Sequence, residues 1–155
     1  DITQYSEKQL SRIRLEQMGF VFQFHLLLPE FTSLENVMMP MRRLGKDKDS
    51  VIKTRATEKL EKLGLADHIN KLPSQLSGGQ RQRVAVARAL ANDPRMIFAD
   101  EPTGNLDTES SKTVQDILKK LAHDDGCAVV AVTHDPDFAK NCDRIITIVD
   151  GKIVP

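Results

Sequence analysis

Short apolar runs alternate along the chain with longer segments in which apolar residues recur every three or four positions. The runs have the length of strands, and the longer segments have the periodicity of helices with one buried face. The predicted strands lie at 19–22, 96–99, 127–132 and 144–149, and the predicted helices at 6–17, 32–41, 50–63, 77–91, 107–123 and 137–141. Strands that alternate with helices indicate a parallel sheet, so the pattern predicts an α/β fold.

Several of these helices begin or end at residues that satisfy the free backbone groups of a helix terminus. Ser6 and Ser50 are predicted to cap two helices, and Thr32 begins a capping-box sequence. Gly64 is expected to end the helix at 50–63. The predicted buried face of that helix consists of Val51, Ala56, Leu60 and Leu63.

Composition narrows the class of protein. The 155 residues are 40% hydrophobic and 28% charged, which is ordinary for one folded domain. Lysine plus arginine and aspartate plus glutamate number 22 each, so no basic excess points to a nucleic-acid partner. The apolar runs are shorter than the roughly 20 residues of a membrane helix, and action at a membrane is therefore predicted to go through another protein.

The segment 76–80, Leu-Ser-Gly-Gly-Gln, combines a helix cap with two glycines. Ser77 can cap the helix that follows, while Gly78 and Gly79 permit close approach to the backbone. Because a helix start presents free N–H groups and the positive end of the helix dipole, the segment is a candidate phosphate site. An ordinary capped helix has the same local sequence, so the neighbouring motifs must decide between a phosphate site and a simple helix cap.

Two carboxylates, Asp100 and Glu101, follow directly after the apolar run at 96–99. A buried parallel strand would deliver them to the carboxyl edge of the sheet, where nucleotide-binding α/β folds place their ligands. The two motifs together favour a nucleotide site over an isolated helix cap.

Five motifs in one order closely resemble the ATPase subunits of ABC transporters. The segment 76–80 is similar to the signature motif, 96–101 to the Walker B strand with its glutamate, and 104–107 to the D-loop. Gln23 matches the Q-loop glutamine, and His134 in Thr-His-Asp matches the switch histidine. The resemblance implies a P-loop NTPase-type parallel sheet core with an inserted α-helical subdomain. Residues 1–23 and 92–155 would form parts of the nucleotide-binding core, and 24–91 the helical subdomain with the signature helix.

The same resemblance implies how ATP would be hydrolysed. Asp100 would hold Mg²⁺, and Glu101 would act as general base or orient the attacking water. Gln23 would reach both the metal and the water. His134 would contact the γ-phosphate and hold the base in place.

Partners are implied by the signature motif and by the segment after the Q-loop. The residues that would bind the γ-phosphate of ATP held by a second subunit are Ser77, Gly78, Gly79 and Gln80. The active unit would be a head-to-tail homodimer with two composite sites, and Asp107 would lie at its interface. The apolar segment 24–31 would line a groove that receives transmembrane permease subunits, on the cytoplasmic face of the inner membrane.

No Gly-x-x-x-x-Gly-Lys-Ser/Thr sequence, the Walker A loop that cradles nucleotide phosphates, occurs in the chain. In the resembled family this loop lies upstream of the Q-loop by more than the 22 residues available. We therefore expect a fragment that binds ATP poorly and hydrolyses it hardly at all. Since the strand before that loop is expected between the Walker B and switch-histidine strands, we also predict a gap in the middle of the sheet.

Within the family, the sequences at 22–32 and 100–107 most resemble the lipoprotein-releasing branch and its macrolide-export and cell-division relatives. An alternative function is a non-catalytic module that docks on a membrane protein or a full-length ATPase. The missing lysine loop favours that module, whereas Glu101, His134 and the intact signature favour an ATPase. A DNA-repair ATPase of the structural-maintenance type needs a long coiled coil before the signature, but only 52 residues without heptads separate Gln23 from Leu76.

Overall fold

The computed structural model describes residues 3–154, and its main feature is a parallel sheet with helices packed on one face. The helices are α1 (Glu7–Gln17), α2 (Ser33–Leu44), α3 (Asp49–Lys62), α4 (Gly78–Ala89), α5 (Thr108–His123) and α6 (Pro136–Lys140). The strands are β1 (Met18–Phe22), β2 (Met96–Asp100), β3 (Ala128–Val132), β4 (Thr147–Val149) and β5 (Lys152–Val154). The predicted α/β class is confirmed.

β1, β2 and β3 lie side by side in that order, and all run in the same direction. Phe22 is opposite Asp100, which is in turn opposite Val132, so the three strands end level with one another. Parallel strands bring their carboxyl ends to one edge of a sheet. The residues that follow the three strands therefore meet at this edge.

The predicted gap between the Walker B strand and the switch-histidine strand is wrong. β2 pairs directly with β3, from Met96 opposite Ala128 to Asp100 opposite Val132. α5 returns the chain to the position beside the strand it left, as connections between consecutive elements commonly do. β3 consequently forms an edge of the sheet, and its Val132 side chain is 64% exposed.

α4 belongs to both hydrophobic cores that residues 3–154 form. On one side, its Val86 packs with Ile97 of β2 and with Val114 and Leu118 of α5. On the other side, α4 packs against α2 and α3 in a cluster whose buried members include Leu34, Val37, Ile52, Leu60 and Val84. Because each buried aliphatic side chain contributes roughly 1.5–3 kcal/mol, these contacts fix the start of α4 relative to the sheet.

Four helix starts agree with the sequence analysis. The residues that cap α1, α2, α4 and α5 through their side-chain oxygens are Ser6, Thr32, Ser77 and Asp107. α2 contains Pro40 and is longer than predicted, since it continues beyond residue 41 to Leu44. The left-handed Gly45, with φ +70°, then ends the helix.

The predicted start and buried face of α3 require correction. Ser50 is not a cap, since α3 begins one residue earlier, at Asp49. The Asp49 carboxylate accepts two hydrogen bonds from Arg42 of α2, at 2.6 and 2.9 Å, which anchor this helix start. Ile52 is buried in place of Val51, which is 45% exposed, because Ile52 is in register with the buried residues one and two turns later.

β4 and β5 form a separate antiparallel hairpin. Its turn lies at Asp150 and Gly151, with φ +49° and +74°. The strand predicted at 144–149 is shorter and starts at Thr147. Among residues 3–154, no helix is both long enough and apolar enough to cross a membrane.

Candidate functional site

The edge at which β1, β2 and β3 end joins three distant parts of the sequence. Gln23 follows β1, Glu101 follows β2, and His134 lies two residues beyond β3. Asp100 is itself the last residue of β2. The structure thus brings together the four residues that the sequence analysis predicted for metal and water chemistry.

Glu101 adopts a left-handed backbone conformation, with φ +44°. Such a conformation costs a residue with a side chain roughly 1–3 kcal/mol, and it persists only where the surroundings hold it. Here the Glu101 N–H donates to the carbonyl of Val132 at 2.9 Å, which continues the pairing of β2 with β3 by one residue. The strained residue is therefore fixed at the sheet edge, where strain is often associated with function.

The Glu101 carboxylate is held by three donors from the segment after β3. Oε1 accepts from the backbone N–H of His134 at 2.9 Å and lies 2.7 Å from His134 Nδ1. Oε2 accepts from Thr133 Oγ1 at 3.3 Å. An ionised carboxylate only accepts, so His134 donates through Nδ1 and leaves Nε2 for another partner. Because the His134 side chain is 80% exposed, that partner can come from outside the chain.

Asp100 presents an exposed carboxylate beside this arrangement. The described residues contain no group of three or more His, Cys, Asp or Glu side chains that could form a complete metal site. Mg²⁺ is typically held by one or two carboxylates together with phosphate oxygens and water. A single aspartate at the sheet edge therefore suits a metal that arrives with a phosphate ligand.

Gln23 lies over the turn that follows β2. Its Nε2 donates to Asn105 Oδ1 at a long 3.4 Å. The N–H of Gly104 donates to the Glu101 carbonyl at 3.1 Å, which closes the turn. A Cβ added at Gly104 would lie 2.9 Å from Gln23 Nε2, so the glycine leaves the space that the glutamine occupies.

The signature segment forms a capping box at the start of α4. Ser77 Oγ accepts from the Gln80 N–H at 3.2 Å, and Gln80 Oε1 accepts from the Ser77 N–H at 2.9 Å. The Gln80 amide nitrogen, which can only donate, lies 2.9 Å from Nε2 of His68. His68 therefore accepts through Nε2 and fixes the side chain of Gln80 from outside the helix.

The two signature glycines pack against the D-loop and α5. A Cβ at Gly79 would lie 2.3 Å from Ser110 Oγ, and one at Gly78 would lie 3.7 Å from Leu106. Asp107 caps α5 by accepting from the Ser110 N–H at 2.9 Å, and this bond lowers the pKa of Asp107. Among the hydrogen bonds of residues 3–154, none joins Ser77 or Gln80 to Glu101. Within this chain the signature and the carboxylates are neighbouring but separate groups.

Arg88 and Gln82, both on α4, were not identified from the sequence. Arg88 donates to the carbonyls of Leu26 and His25, the latter at 2.8 Å. Both of these residues have positive φ, so Arg88 stabilises a strained turn after the Q-loop. Gln82 could have been found from the sequence, because it is a polar residue on the buried, otherwise apolar face of its helix.

The parallel sheet ends in carboxylates, and a capped helix start with two glycines lies beside it. These features define a nucleotide-binding α/β domain. Residues 1–104 match the ABC transporter family. The chain is 50% identical over 149 residues to the lipoprotein-releasing system ATP-binding protein LolD of Aquifex aeolicus, a match that covers 96% of this chain and 66% of that protein. LolD of Leptospira interrogans is 48% identical over 154 residues, which are 99% of this chain and 64% of that protein.

A solved structure is also similar to this chain. The ATP-binding cassette MJ0796, in a dimeric post-hydrolysis state bound to ADP and Pi, matches with a TM-score of 0.86 and 43% identity over 97% of this chain and 66% of that one. The chain belongs to the ABC transporter family, and the predicted resemblance to the lipoprotein-releasing branch is confirmed. It spans about two thirds of the length of these curated relatives.

Proposed function

We propose that the chain is part of the ATP-hydrolysing subunit of an ABC transporter of the lipoprotein-releasing type. The observation that carries this proposal is the Glu101 carboxylate, held at the sheet edge by His134 and Thr133. A sheet edge with a purely structural role does not require a strained glutamate that accepts from three ordered donors, one of them the ring of an exposed histidine. The curated relatives named for lipoprotein release support the choice of branch.

The residues at the edge suit hydrolysis of a nucleotide that binds with Mg²⁺. The metal would neutralise phosphate charge and would be held by Asp100. Glu101, whose orientation is fixed by His134, would accept a proton from the attacking water. With protons on both ring nitrogens, His134 would donate through Nδ1 to Glu101 and through Nε2 to a phosphate oxygen, and Gln23 would orient the water from the side of β1.

A second subunit would complete each site. Ser77 and Gln80 make no bond to Glu101 in this chain, and the free N–H groups at the start of α4 are suited to a phosphate held by another copy. A head-to-tail homodimer satisfies both conditions, with Asp107 near the interface. The dimeric state of the MJ0796 cassette, which is 43% identical, supports this arrangement.

The permease subunits would dock on the segment after the Q-loop. Phe24 and Leu26 are 72% and 58% exposed, and Leu28 and Phe31 are each 38% exposed. Exposed apolar residues in one short segment indicate a contact surface for another protein. Docking there would place the subunit at the cytoplasmic face of the inner membrane.

Turnover would also require a phosphate-cradling lysine loop, which this sequence does not contain. That feature favours the alternative, a non-catalytic module that binds a membrane protein or a full-length ATPase. The two functions differ in whether Glu101 matters once a lysine loop is supplied.

The test is ATP turnover with Mg²⁺ by this chain and by a version extended upstream with the lysine-loop segment of an ABC ATPase. Glu101→Gln is made in each. We expect turnover only in the extended version, with loss on Glu101→Gln by a factor of about 100 or more. An extended version without Glu101-dependent turnover would favour the docking module, and Glu101-dependent turnover by the chain alone would refute the need for the loop.

A further inference from the structure

Gln82 is a buried glutamine on the face of α4 that looks toward the sheet edge. Gln82 is 1% exposed and lies two residues beyond the signature segment. Nε2 donates to the carbonyl oxygen of Pro102 at 2.7 Å and makes a longer contact, 3.5 Å, with the carbonyl oxygen of Phe22. Pro102 is the residue after Glu101, and Phe22 is the residue before Gln23. One amide group therefore contacts the backbone next to Glu101 and the backbone next to Gln23.

The orientation of this amide is determined by its partners. A rotated amide would place Oε1, an acceptor, against the two carbonyl oxygens, which are also acceptors. Only the arrangement with Nε2 toward Pro102 and Phe22 forms hydrogen bonds. Gln82 is thus a donor to two backbone segments, which are also joined by the pairing of β1 with β2 and by the longer contact of Gln23 with Asn105.

Packing alone does not explain a glutamine at this position. Oε1 is buried, and no group of the described residues bonds to it. An apolar side chain of similar length would fill the same volume without burying an unpaired polar atom. The neighbouring positions on this face of α4 are Gly79, Val86 and Ala89, all buried, so the polar group stands alone.

We propose that Gln82 is a positioning residue, which holds the Glu101 carboxylate and the Gln23 amide at their separation by fixing the two backbone carbonyls beside them. The proposal rests on the proposed ATPase function of the same site. Gln82 is buried, and its hydrogen bonds go to backbone carbonyls behind the open sheet edge. It acts through Pro102, which is itself buried, and so controls where the strained Glu101 lies.

The experiment compares Gln82→Met with Asn92→Leu in the upstream-extended chain. Asn92 is a matched control, because its Nδ2 also donates to two backbone carbonyls, those of Leu15 at 2.9 Å and Pro40 at 3.2 Å, at the other end of α4. Both substitutions remove an amide donor and keep a side chain of similar size. Turnover, the KM for ATP and thermal stability are measured for each, and Gln82→Met is repeated in a Glu101→Gln background.

We expect Gln82→Met to lower kcat by about 10- to 100-fold with an unchanged KM, as a displacement of a positioned group does. Asn92→Leu should lose comparable thermal stability with unchanged kcat. In the Glu101→Gln background, Gln82→Met should lower the residual turnover far less, because residues that act as one unit are not additive. Equal effects of the two substitutions on kcat, or the same factor in both backgrounds, would overturn the proposal.

Gln82→Glu provides a second variant of the same length, in which a carboxylate replaces the donor. It should lower kcat in the same way, and loss of folding in both Gln82 variants would make Gln82 a structural residue and refute the proposal. Failure of the ATPase function itself is distinguishable. It appears as absence of Glu101-dependent turnover in the unsubstituted extended chain and removes this inference with it, whereas failure of the inference alone leaves that turnover intact.

Discussion

Oε1 of Glu101 accepts from the backbone N–H of His134 and lies 2.7 Å from Nδ1 of the same residue. The backbone bond follows from the level ends of β2 and β3, and the side-chain bond adds the orientation of the imidazole. Since the backbone bond does not need the imidazole, His134→Ala removes only the side-chain bond, and the two contributions can be separated. A substitution at His134 therefore tests what the imidazole contributes to turnover while the backbone bond still holds the carboxylate in place.

His134→Ala should lower ATP turnover of the upstream-extended chain by about 100-fold, because it removes the side chain that orients Glu101 and would contact the phosphate. Stability should change by less than about 0.5 kcal/mol, since the side chain is 80% exposed. His123→Ala is the control, because Nε2 of His123, the last residue of α5, lies 3.4 Å from an oxygen of Asp143 and so also belongs to a histidine–carboxylate pair. Equal turnover in the two variants would contradict the role of His134.

Much of this fold was predictable because its determinants are local. Ser6 and Thr32 cap helices through bonds to residues three positions later, and the apolar run before Asp100 forms its strand as expected. Val51 and Ile52 show the limit of such patterns. Both are apolar and adjacent, and each is spaced acceptably from later apolar residues, so the packing of α3 against α2 and α4 decides which of the two is buried.

The sheet order and the contacts of Gln82 were not predictable in this way. The pairing of β2 with β3 depends on how α5 packs, and the strand order assumed from the resemblance was wrong. Gln82 bonds to carbonyls 20 and 60 positions away in sequence, and no local spacing encodes such partners. The candidate residues of the site could be proposed from their motifs, whereas the groups that hold them required the tertiary structure.

Gly79→Ala should destabilise the chain by about 1–3 kcal/mol, the usual cost of overpacking. Its new Cβ would lie 2.3 Å from Oγ and 2.7 Å from Cβ of Ser110. In a Ser110→Gly background both atoms are gone and the nearest remaining atom, the Cα, is 3.7 Å away, so the same substitution should cost much less. Gly78→Ala, with Leu106 at 3.7 Å, is the control.

A thermal-unfolding double-mutant cycle measures this coupling. We expect a coupling free energy of about 0.5–3 kcal/mol between positions 79 and 110. Additive effects would mean that the signature segment and α5 do not pack as closely as described.

Gly104→Ala should lower turnover without destabilising the fold. The added Cβ would be 2.9 Å from Gln23 Nε2, the end of a flexible side chain that can move aside. Moving it displaces Gln23 from Asn105, and we expect about 10-fold slower turnover of the extended chain. Combined with Gln23→Ala, Gly104→Ala should have no further effect. A fall in melting temperature that accounts for the lost turnover would point to backbone strain.

His25 should make stability depend on pH. Its Nε2 is buried without a partner among the described residues, burial lowers the pKa of His25 below the ordinary value of 6.5, and the nearby positive charge of Arg81 lowers it further. The unfolded chain therefore binds a proton at higher pH than the folded chain does. Linkage then requires that stability falls as the pH drops through 6.5 toward the folded-state pKa, and that the full contribution of neutral His25 is present above 6.5.

His25→Asn removes this titration while keeping a residue that tolerates the positive φ of 63° at this position. We expect the stability of the unsubstituted chain relative to His25→Asn to decrease as the pH is lowered from about 8 to about 5, where the difference in bound protons accumulates. Urea unfolding at each pH measures the difference directly, because other titrating groups contribute equally to both proteins. A difference that stays constant over this range would show that His25 binds protons equally in the folded and unfolded chain.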